Sequence, residues 1–438
     1  MLCTHGAPGV ISIILLMAIT SSAELPGGAS RDDAATVQEV RKLSALKPVK
    51  AANSWFKEHG NDLAQTQMEL TSIPAPPFGE AARADWLRER FRELGLKDIH
   101  IDEIGNVFGV RPGFNDNGRI IAITAHLDTV FPAGTKIEVR RDGDRLYGPG
   151  ISDNGAGLAA LLAVATALKA GGVQTNSSIV FIGNVGEEGE GDVRGMRHIF
   201  SDPKWKNSIA YTIVVDGAGT DTIVTDALGS RRFQVTVKGP GGHSWSDFGA
   251  PNPIVALAHA IDLFTNTPVP PTPKTTFNIG VISGGTSVNS IPESASMRVD
   301  IRSASPEQID RLERALNDSL EEALRHAARS EQSGSRGQGL SFEVKCIGNR
   351  PAARLRADSR LLQTIQAVDE FLGNRARIQR ASTDANIPIS QGREALAIGA
   401  GGSGGGAHTV HEWYDVTNRE LGLRRILLTA LALAGVKE

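Results

Sequence analysis

A chain of 438 residues is too long for one ordinary hydrophobic core, and its 40% of hydrophobic and 22% of charged residues are typical of a globular protein, so we expect two domains. The formal net charge is only −3, and the sequence has no basic tract that could follow a phosphate backbone, which argues against nucleic acid as a partner. Two cysteines, Cys3 and Cys346, are too few for a zinc site built on thiolates.

The N-terminus carries an apolar stretch at residues 10–19, followed at 21–23 by small residues of the kind that a signal peptidase accepts. This stretch is too short to span a bilayer stably. We therefore expect residues 1–23 to be a signal peptide and the mature protein to be exported, periplasmic or secreted, without a membrane anchor. If the true start is Met17 or a later residue, the protein would be cytoplasmic instead.

Helical and extended patterns alternate along the first half of the chain. Residues 51–95 are mostly helical in pattern, and the segment up to residue 228 alternates apolar strands with helices, among them an apolar helix at 155–170. Such alternation is typical of an open, mainly parallel sheet with helices on both faces. The sequence therefore predicts an α/β domain whose first part covers residues 24–228.

A different pattern occupies residues 229–345. Strand, helix, strand, strand, helix and strand follow one another there, at 232–238, 253–264, 275–281, 294–302, 306–328 and 340–345, with a polar linker at 330–338. This β-α-β-β-α-β order is that of the ferredoxin-like α+β unit. We expect an inserted second domain, after which the α/β domain resumes over residues 346–438.

Four apolar runs in the predicted α/β domain stop at acids or histidines. The runs at 119–125, 178–183, 210–215 and 395–399 lead into His126-Leu127-Asp128, Glu187-Glu188, Asp216 and His408, respectively. In an open α/β sheet, ligands bind beyond the carboxyl ends of the strands, so residues distant in sequence can meet there. Their shared position indicates a functional site.

The chemistry of these acids favours a bound cation. Asp153 stands in a glycine-rich turn before the helix at 155–170, and by itself it could be only the N-cap of that helix. Glu187 and Glu188, however, follow a strand apolar enough to be buried, where two carboxylates without a positive partner would cost on the order of several kcal/mol. His126 offers an imidazole ligand, and Asp128 is close enough in sequence to support its geometry.

Charge balance points to a pair of divalent cations. Asp153, Glu188 and Asp216 supply three negative charges, two neutral histidines supply none, and a bridging hydroxide adds one more, so two divalent cations neutralise the set. Oxygen and imidazole ligands without thiolate suit zinc first, with cobalt or manganese as alternatives, in a pair about 3.5–4 Å apart.

Together with Gly241-Gly242-His243, these motifs occur in the order and approximate spacing of the M20 family of metallopeptidases and deacylases. The chain resembles that family from about residue 55 onward, and the six motifs together are highly specific. The family includes tripeptide aminopeptidase (peptidase T), glutamate carboxypeptidase, acetylornithine deacetylase and succinyl-diaminopimelate desuccinylase. The resemblance implies an α/β fold of the zinc-exopeptidase type with an inserted lid or dimerisation domain.

The resemblance also implies a set of metal ligands. Asp153 matches the ligand that bridges two metals, His126 and Asp216 match ligands of one metal, and Glu188 and His408 match ligands of the other. Both metals would polarise the scissile carbonyl and lower the pKa of water.

Roles beside the ligands follow from the same resemblance. Asp128 would support His126, and Glu187 would be the general base that takes a proton from water and passes it to the leaving amine. The family's late ligand stands four residues before a glutamate, as His408 does before Glu412, so we expect His411 to be structural.

Three positions in the inserted segment also match the family. His243, which alone would be taken for a loop residue, matches a histidine that reaches an active site, often that of the partner subunit, and stabilises the developing oxyanion. Asn289 and Arg302, otherwise a turn residue and a solvated charge, match positions that bind a substrate carboxylate, which suits the planar fork of Arg. The resemblance thus implies a homodimer and short peptides or N-acyl amino acids as substrates.

Two departures from the family pattern bear on the substrate. Ser152 and Asn154 flank Asp153 where relatives more usually carry acids or a lysine, which changes the local charge. Relatives have Asp or Glu at the position of Asp216, and Asp tends to accompany aminopeptidases. We therefore predict an exported aminopeptidase for short peptides. An N-acyl-amino-acid deacylase or carboxypeptidase is the alternative, and a non-catalytic peptide-binding relative is disfavoured because the base and all five ligands are present.

Overall fold

The computed structural model describes residues 31–115, 118–330 and 339–437. Its helices are α1 Arg31–Ala45, α2 Lys47–Glu58, α3 Gly60–Thr71, α4 Ala81–Leu94, α5 Gly155–Ala170, α6 Arg194–Ser201, α7 Pro203–Ser208, α8 Pro253–Thr265, α9 Pro306–Ser330, α10 Arg360–Leu372, α11 Asn386–Ser390 and α12 Arg419–Ala434. Its strands are β1 Lys97–Ile101, β2 Val107–Arg111, β3 Ile120–His126, β4 Arg140–Asp142, β5 Arg145–Tyr147, β6 Ser178–Asn184, β7 Ile209–Val215, β8 Thr222–Ala227, β9 Gly229–Lys238, β10 Gly242–His243, β11 Thr275–Gly284, β12 Ser290–Ile291, β13 Ser294–Ser303, β14 Ser341–Arg350, β15 Ala353–Arg354, β16 Arg377–Ala381, β17 Glu394–Ile398, β18 Ser403–Gly405 and β19 Trp413–Asp415.

Two sequence predictions fall largely outside the described residues. The predicted signal peptide at 1–23 lies outside them entirely, and so does the expected linker at 330–338, except for Ser330, which ends α9. Over the part of the chain that the structure describes, no helix combines the length and the apolar character needed to cross a bilayer.

The central sheet has nine strands in the order β1-β2-β6-β3-β7-β17-β8-β15, with β16 paired to β8. Its four middle strands, β6, β3, β7 and β17, pair with one another in parallel. On one side of them the pairings β1–β2 and β2–β6 are antiparallel, and on the other side so are β17–β8 and β8–β15. The predicted α/β class with a mainly parallel central sheet is therefore confirmed, and the parallel pairing is concentrated where the acid-bearing strands lie.

The middle strands are apolar because both faces of the sheet are covered. On one face, Ile121 and Ile123 of β3 join a core with α5 and α12, and on the other face Ala122 joins a core with α6 and α7. The expected apolar helix is α5, and nearly all of its residues are buried. Buried strands of this kind hold their carboxyl ends in a fixed arrangement, on which a site can be built.

The inserted unit consists of β9, α8, β11, β13, α9 and β14, in the β-α-β-β-α-β order expected from the sequence. Its strands form an antiparallel sheet in the order β11-β13-β9-β14, and α8 and α9 pack on it to form a separate core. Three strands are clearly longer than predicted: β9 begins at Gly229 rather than at 232, β11 continues to Gly284 rather than to 281, and β14 continues to Arg350 rather than ending near residue 345. The pairing of β14 with β9 shifts register between Cys346 and Gly348, and this irregularity lets the strand continue.

A buried ion pair joins two helices of the larger domain. Arg425 of α12 donates from Nε and Nη2 to the two carboxylate oxygens of Asp369 in α10, at 2.6 and 2.7 Å. The Arg425 side chain is fully buried and that of Asp369 nearly so. The pair is bidentate, which gives it both strength and a defined geometry.

We expect Asp369→Ala to lower the free energy of unfolding by about 3–5 kcal/mol, because it leaves the buried guanidinium of Arg425 without its carboxylate partner. Urea unfolding followed by circular dichroism measures this loss. The matched control is Asp358→Ala, which removes an exposed pair with Arg356 and should leave the free energy of unfolding nearly unchanged. Equal losses in the two variants would contradict the prediction.

Candidate metal centre

The strands β3, β6, β7 and β17 bring the predicted ligands to one edge of the central sheet. His126 is the last residue of β3 and stands opposite Asn184, the last residue of β6. Asp216 follows β7 directly, and its backbone N–H donates to the carbonyl of Ile398 at the end of β17, at 2.9 Å. The carboxyl ends of the middle strands therefore meet, as the sequence pattern indicates for parallel strands.

Asp153 lies at the centre of the cluster and contacts both histidines. Its Oδ1 is 3.1 Å from Nε2 of His126, and its Oδ2 is 3.2 Å from Nε2 of His408. His126 Nε2 is also 3.7 Å from Asp216 Oδ1, and His408 Nε2 is 3.0 Å from Glu188 Oε1. The five predicted ligands are thus brought together in two groups that share Asp153.

The donor set fits divalent cations. The ligands form two groups, one of His126, Asp153 and Asp216 and the other of Asp153, Glu188 and His408. Within each group, one ligand atom from every residue lies within 4.8 Å of the others. Imidazole nitrogens and carboxylate oxygens without thiolate suit zinc, cobalt or manganese. The two groups could hold one ion each.

The electrostatics of the cluster show the same need for positive charge. Hydrogen bonds to Asp153 and Glu188 raise the pKa of His408 to about 10. Burial lowers the pKa of His126, but the surrounding aspartates outweigh burial and raise it well above its usual value. Burial would raise the pKa of Asp153, and both histidines instead lower it. The carboxylates thus draw protons onto the imidazoles, and bound cations would take over this role and leave the histidines neutral as ligands.

Asp128 supports the cluster through backbone groups. Its carboxylate is fully buried and accepts hydrogen bonds from the N–H groups of Glu187 and Glu188, at 3.0 and 2.7 Å. Nδ1 of His126 lies 3.0 Å from the backbone oxygen of Asp128 and 3.7 Å from its Oδ1. The residue therefore orients the histidine with its carbonyl and the glutamate pair with its carboxylate.

A second buried acid, Glu412, shapes the turn around Asp153. Its carboxylate accepts hydrogen bonds from the N–H groups of Gly150, Ser152 and Asp153, at 2.7–3.0 Å. Burial raises the pKa of Glu412 to about 7, although these backbone donors oppose the shift. The interpretation of Asp153 as a helix N-cap is wrong, because the side chain of Asn154 caps α5 by accepting from Gly157 N. Asp153 is left free to face the histidines.

Glu187 lies beside the ligands and is buried. One of its carboxylate oxygens is within 4.8 Å of ligand atoms of His126 and Glu188. Burial raises the pKa of Glu187 well above its usual value, against the opposing effect of the charge on Arg350. Nη1 of Arg350 donates to Glu187 Oε1 at 2.7 Å. A carboxylate in this position can exchange a proton with a group held in the cluster.

The three predicted residues of the inserted unit do not belong to these groups. His243 in β10 is exposed, and the described hydrogen bonds of its side chain stay within its own loop, where Nδ1 accepts from the N–H of Trp245 at 3.2 Å. β10 pairs with β12, and the N–H of Ser244 donates to the carbonyl of Asn289, so His243 and Asn289 share one ribbon. Arg302 lies elsewhere, at the end of β13, and pairs with Asp300 at 2.6 Å.

Sequence reasoning missed Arg350 and assigned no role to Asp384. Arg350 follows a polar stretch of β14 and carries no sign of function in its own neighbourhood. Asp384 is fully buried and accepts from Asn184 Nδ2 at 2.6 Å, and burial raises its pKa to about 7. The acid-bearing turn at 382–386 could have suggested Asp384, because it leads into the apolar residues at 387–389, and an acid is rarely buried without a reason.

A parallel sheet that carries acids and histidines beyond its carboxyl ends, with a shared aspartate between two histidines, is the architecture of a metal-dependent hydrolase. The family model for peptidase family M20/M25/M40 matches residues 122–432 of this chain. The chain therefore belongs to this family, which confirms the resemblance seen in the sequence.

Individual relatives differ in activity. Carboxypeptidase G2 of Pseudomonas sp. (strain RS-16) is 29% identical over 240 residues, which are 53% of this chain and only 57% of that protein. The structure of aminopeptidase PepT from Bacillus cereus ATCC 10987 has a TM-score of 0.67 at 20% identity and covers 86% of this chain and 99% of its own. A dinuclear metal binding peptidase of the M20 family from Bacillus subtilis has a TM-score of 0.61 at 17% identity, over 87% and 100% of the two chains. Both structural likenesses show the fold.

Proposed function

We propose that this protein is a dinuclear metal-dependent exopeptidase that releases the N-terminal residue of short peptides. The observation that carries the proposal is the pair of donor groups that share Asp153, with Glu187 buried beside them. We take the two ions to be zinc, with cobalt or manganese as alternatives that suit the same donors.

In this proposal the chain's own residues divide the work. When bound, the paired cations would polarise the scissile carbonyl and make water a better nucleophile near neutral pH. Glu187 takes a proton from the attacking water and passes it to the leaving amine. Asp128 holds the backbone of the Glu187-Glu188 pair, and Glu412 holds the turn that carries Asp153, so the donors keep their places.

An aminopeptidase is favoured by Asp216, the acid that tends to accompany aminopeptidases in the family, and by the likeness to PepT in fold. The second candidate is a carboxypeptidase or N-acyl-amino-acid deacylase, which the sequence match to carboxypeptidase G2 favours. Both candidates use the same ligands and base, and they differ in which end of the substrate is recognised.

We expect Glu187→Gln to keep both metals and to lower kcat by about 10²–10⁴-fold, because it removes a proton acceptor and not a ligand. Metal content by elemental analysis and steady-state kinetics on the same sample measure the two effects. The matched control is Glu420→Gln, an exposed acid at the start of α12, which should change neither. Loss of a metal from Glu187→Gln would make Glu187 a ligand, and full activity would disprove its role as the base.

A substrate series separates the two candidates. We expect turnover of a free tripeptide and of its C-terminal amide, and no turnover of its N-acetylated form, because an aminopeptidase requires a free amino terminus. Products are followed by mass spectrometry, with Glu187→Gln as the blank. Turnover of only the acetylated compound would favour a deacylase. Turnover of every compound except the C-terminal amide would favour a carboxypeptidase.

We also propose that two copies pair through the inserted unit. Its strand β11 lies at the edge of the sheet, and the surface there carries the exposed side chains of Val281, Ile282 and Val288. An apolar edge strand is a template for pairing with another strand. His243 lies exposed in the same unit, so in a dimer it could serve the partner's site and stabilise the oxyanion there.

Subunit complementation tests this arrangement. Glu187→Gln and His243→Ala should each be inactive alone, and a re-equilibrated equal mixture should recover about a quarter of wild-type activity, because half of the dimers then contain one intact site. Light scattering measures the assembly in parallel. A fully active monomer, or a mixture without recovery, would contradict the proposal.

A further inference from the structure

Arg350 lies where the chain leaves the inserted unit and returns to the central sheet. It is the last residue of β14 and stands opposite Ser230 of β9, and β15 begins shortly afterwards at Ala353, paired with β8. Only 5% of its side chain is exposed. A buried residue at this junction is connected to both units of the fold.

The guanidinium of Arg350 holds one residue at two points. Nη1 donates to Glu187 Oε1 at 2.7 Å, and Nη2 donates to the backbone oxygen of Glu187. A longer contact of 3.4 Å joins Nη1 to Oγ of Ser382. Within the described residues, Arg350 is the only cation that forms an ion pair with Glu187, whose own side chain is 7% exposed.

Arg350 and Arg425 differ in how many of their guanidinium nitrogens find hydrogen-bond partners. Arg425 donates from all three nitrogens, to both oxygens of Asp369 and to the carbonyl of Thr222. Nε of Arg350, in contrast, finds no hydrogen-bond partner in the described ranges, although it is buried. The two nitrogens of Arg350 that find partners, Nη1 and Nη2, both donate to Glu187.

The charges around Arg350 keep it paired. Burial would lower the pKa of its guanidinium, but Glu187, and after it Asp384, raise it. Asp384 is itself held by Asn184 at the end of β6. The charges of the proposed base and of a second buried acid thus both act on the guanidinium, which compensates charge that the fold has removed from water.

We infer that Arg350 is a positioning residue, which fixes the carboxylate and the backbone of Glu187 beside the ligand cluster. This inference rests on the role of general base proposed above for Glu187. Because Arg350 ends β14, the place of the base also depends on how the inserted unit meets the central sheet. A misplacement of a reacting group by about 1 Å can lower the rate about 100-fold. Loss of the contact between Arg350 and Glu187 should therefore lower kcat measurably.

The rival role for a buried arginine here is direct binding of a substrate carboxylate. The two roles predict different kinetics. A residue that acts through the base lowers kcat equally for substrates with and without a free carboxylate. A residue that binds the carboxylate raises KM, and does so only for substrates that carry one.

The experiment compares Arg350→Gln, Arg350→Lys and the exposed control Arg356→Gln in the metal-loaded enzyme, on a peptide and on its C-terminal amide. We expect Arg350→Gln to lower kcat about 100-fold on both substrates with little change in KM and with both metals retained. Arg350→Lys should fall in between, because an ammonium can contact the carboxylate but lacks the planar fork that also reaches the backbone. Arg356→Gln should match the wild type.

A double variant tests whether Arg350 acts through Glu187. In the Glu187→Gln background, Arg350→Gln should cause no further loss of residual activity, since the two residues act as a unit. If Arg350→Gln fails to fold, as melting curves would show, Arg350→Lys and its double variant decide the question.

Three outcomes overturn the inference: full activity of the Arg350 variants, an effect on KM limited to the free carboxylate, or additive losses in the double variant. A Glu187→Gln enzyme that remains active overturns the proposed function instead, and the two failures are therefore distinguishable.

Discussion

Crowding of negative charge at the carboxyl edge of the central sheet is the constraint on which the rest of the structure depends. Asp153, Glu187, Glu188 and Asp216 come from two different strand ends and one turn, yet they meet within a few ångströms of His126. Removed from water, such carboxylates destabilise a fold unless cations or hydrogen bonds compensate them. The surrounding structure is arranged to provide this compensation.

Part of the compensation comes from backbone N–H groups. Asp128 and Glu412 accept two and three backbone hydrogen bonds, respectively. These acids fix the two turns that carry Glu188 and Asp153, so that the donors are oriented before any ion arrives. Compensation also comes from His126 and His408, and for Glu187 from Arg350, the one guanidinium that reaches it within the described part of the chain.

The sequence was sufficient to predict the sheet class, the order of elements in the inserted unit and the convergence of five candidate ligands, because burial and strand direction leave regular patterns. It could not separate Asp153 from Asn154 as the cap of α5, since both occur in one glycine-rich turn and only the backbone geometry distinguishes them. Arg350 also escaped prediction, because its partner Glu187 is far away in sequence and a single arginine at a strand end resembles a solvated charge.

The same sequence distance explains why another contact was not foreseen. His243 and Asn289 are joined through a short ribbon whose strands have two residues each, too short for any periodicity to be visible. This contact depends on tertiary placement and not on local pattern.

The position of β17 has a consequence for how the chain reaches its native state. This strand lies in the middle of the central sheet, between β7 and β8, although it is made after the whole inserted unit. The inserted unit is formed by one contiguous segment and has its own core, so it can fold during synthesis while the larger sheet still has a gap. Until the last part of the chain leaves the ribosome, the edges of β7 and β8 remain unpaired, and this interval is the period in which the nascent protein is most exposed to aggregation.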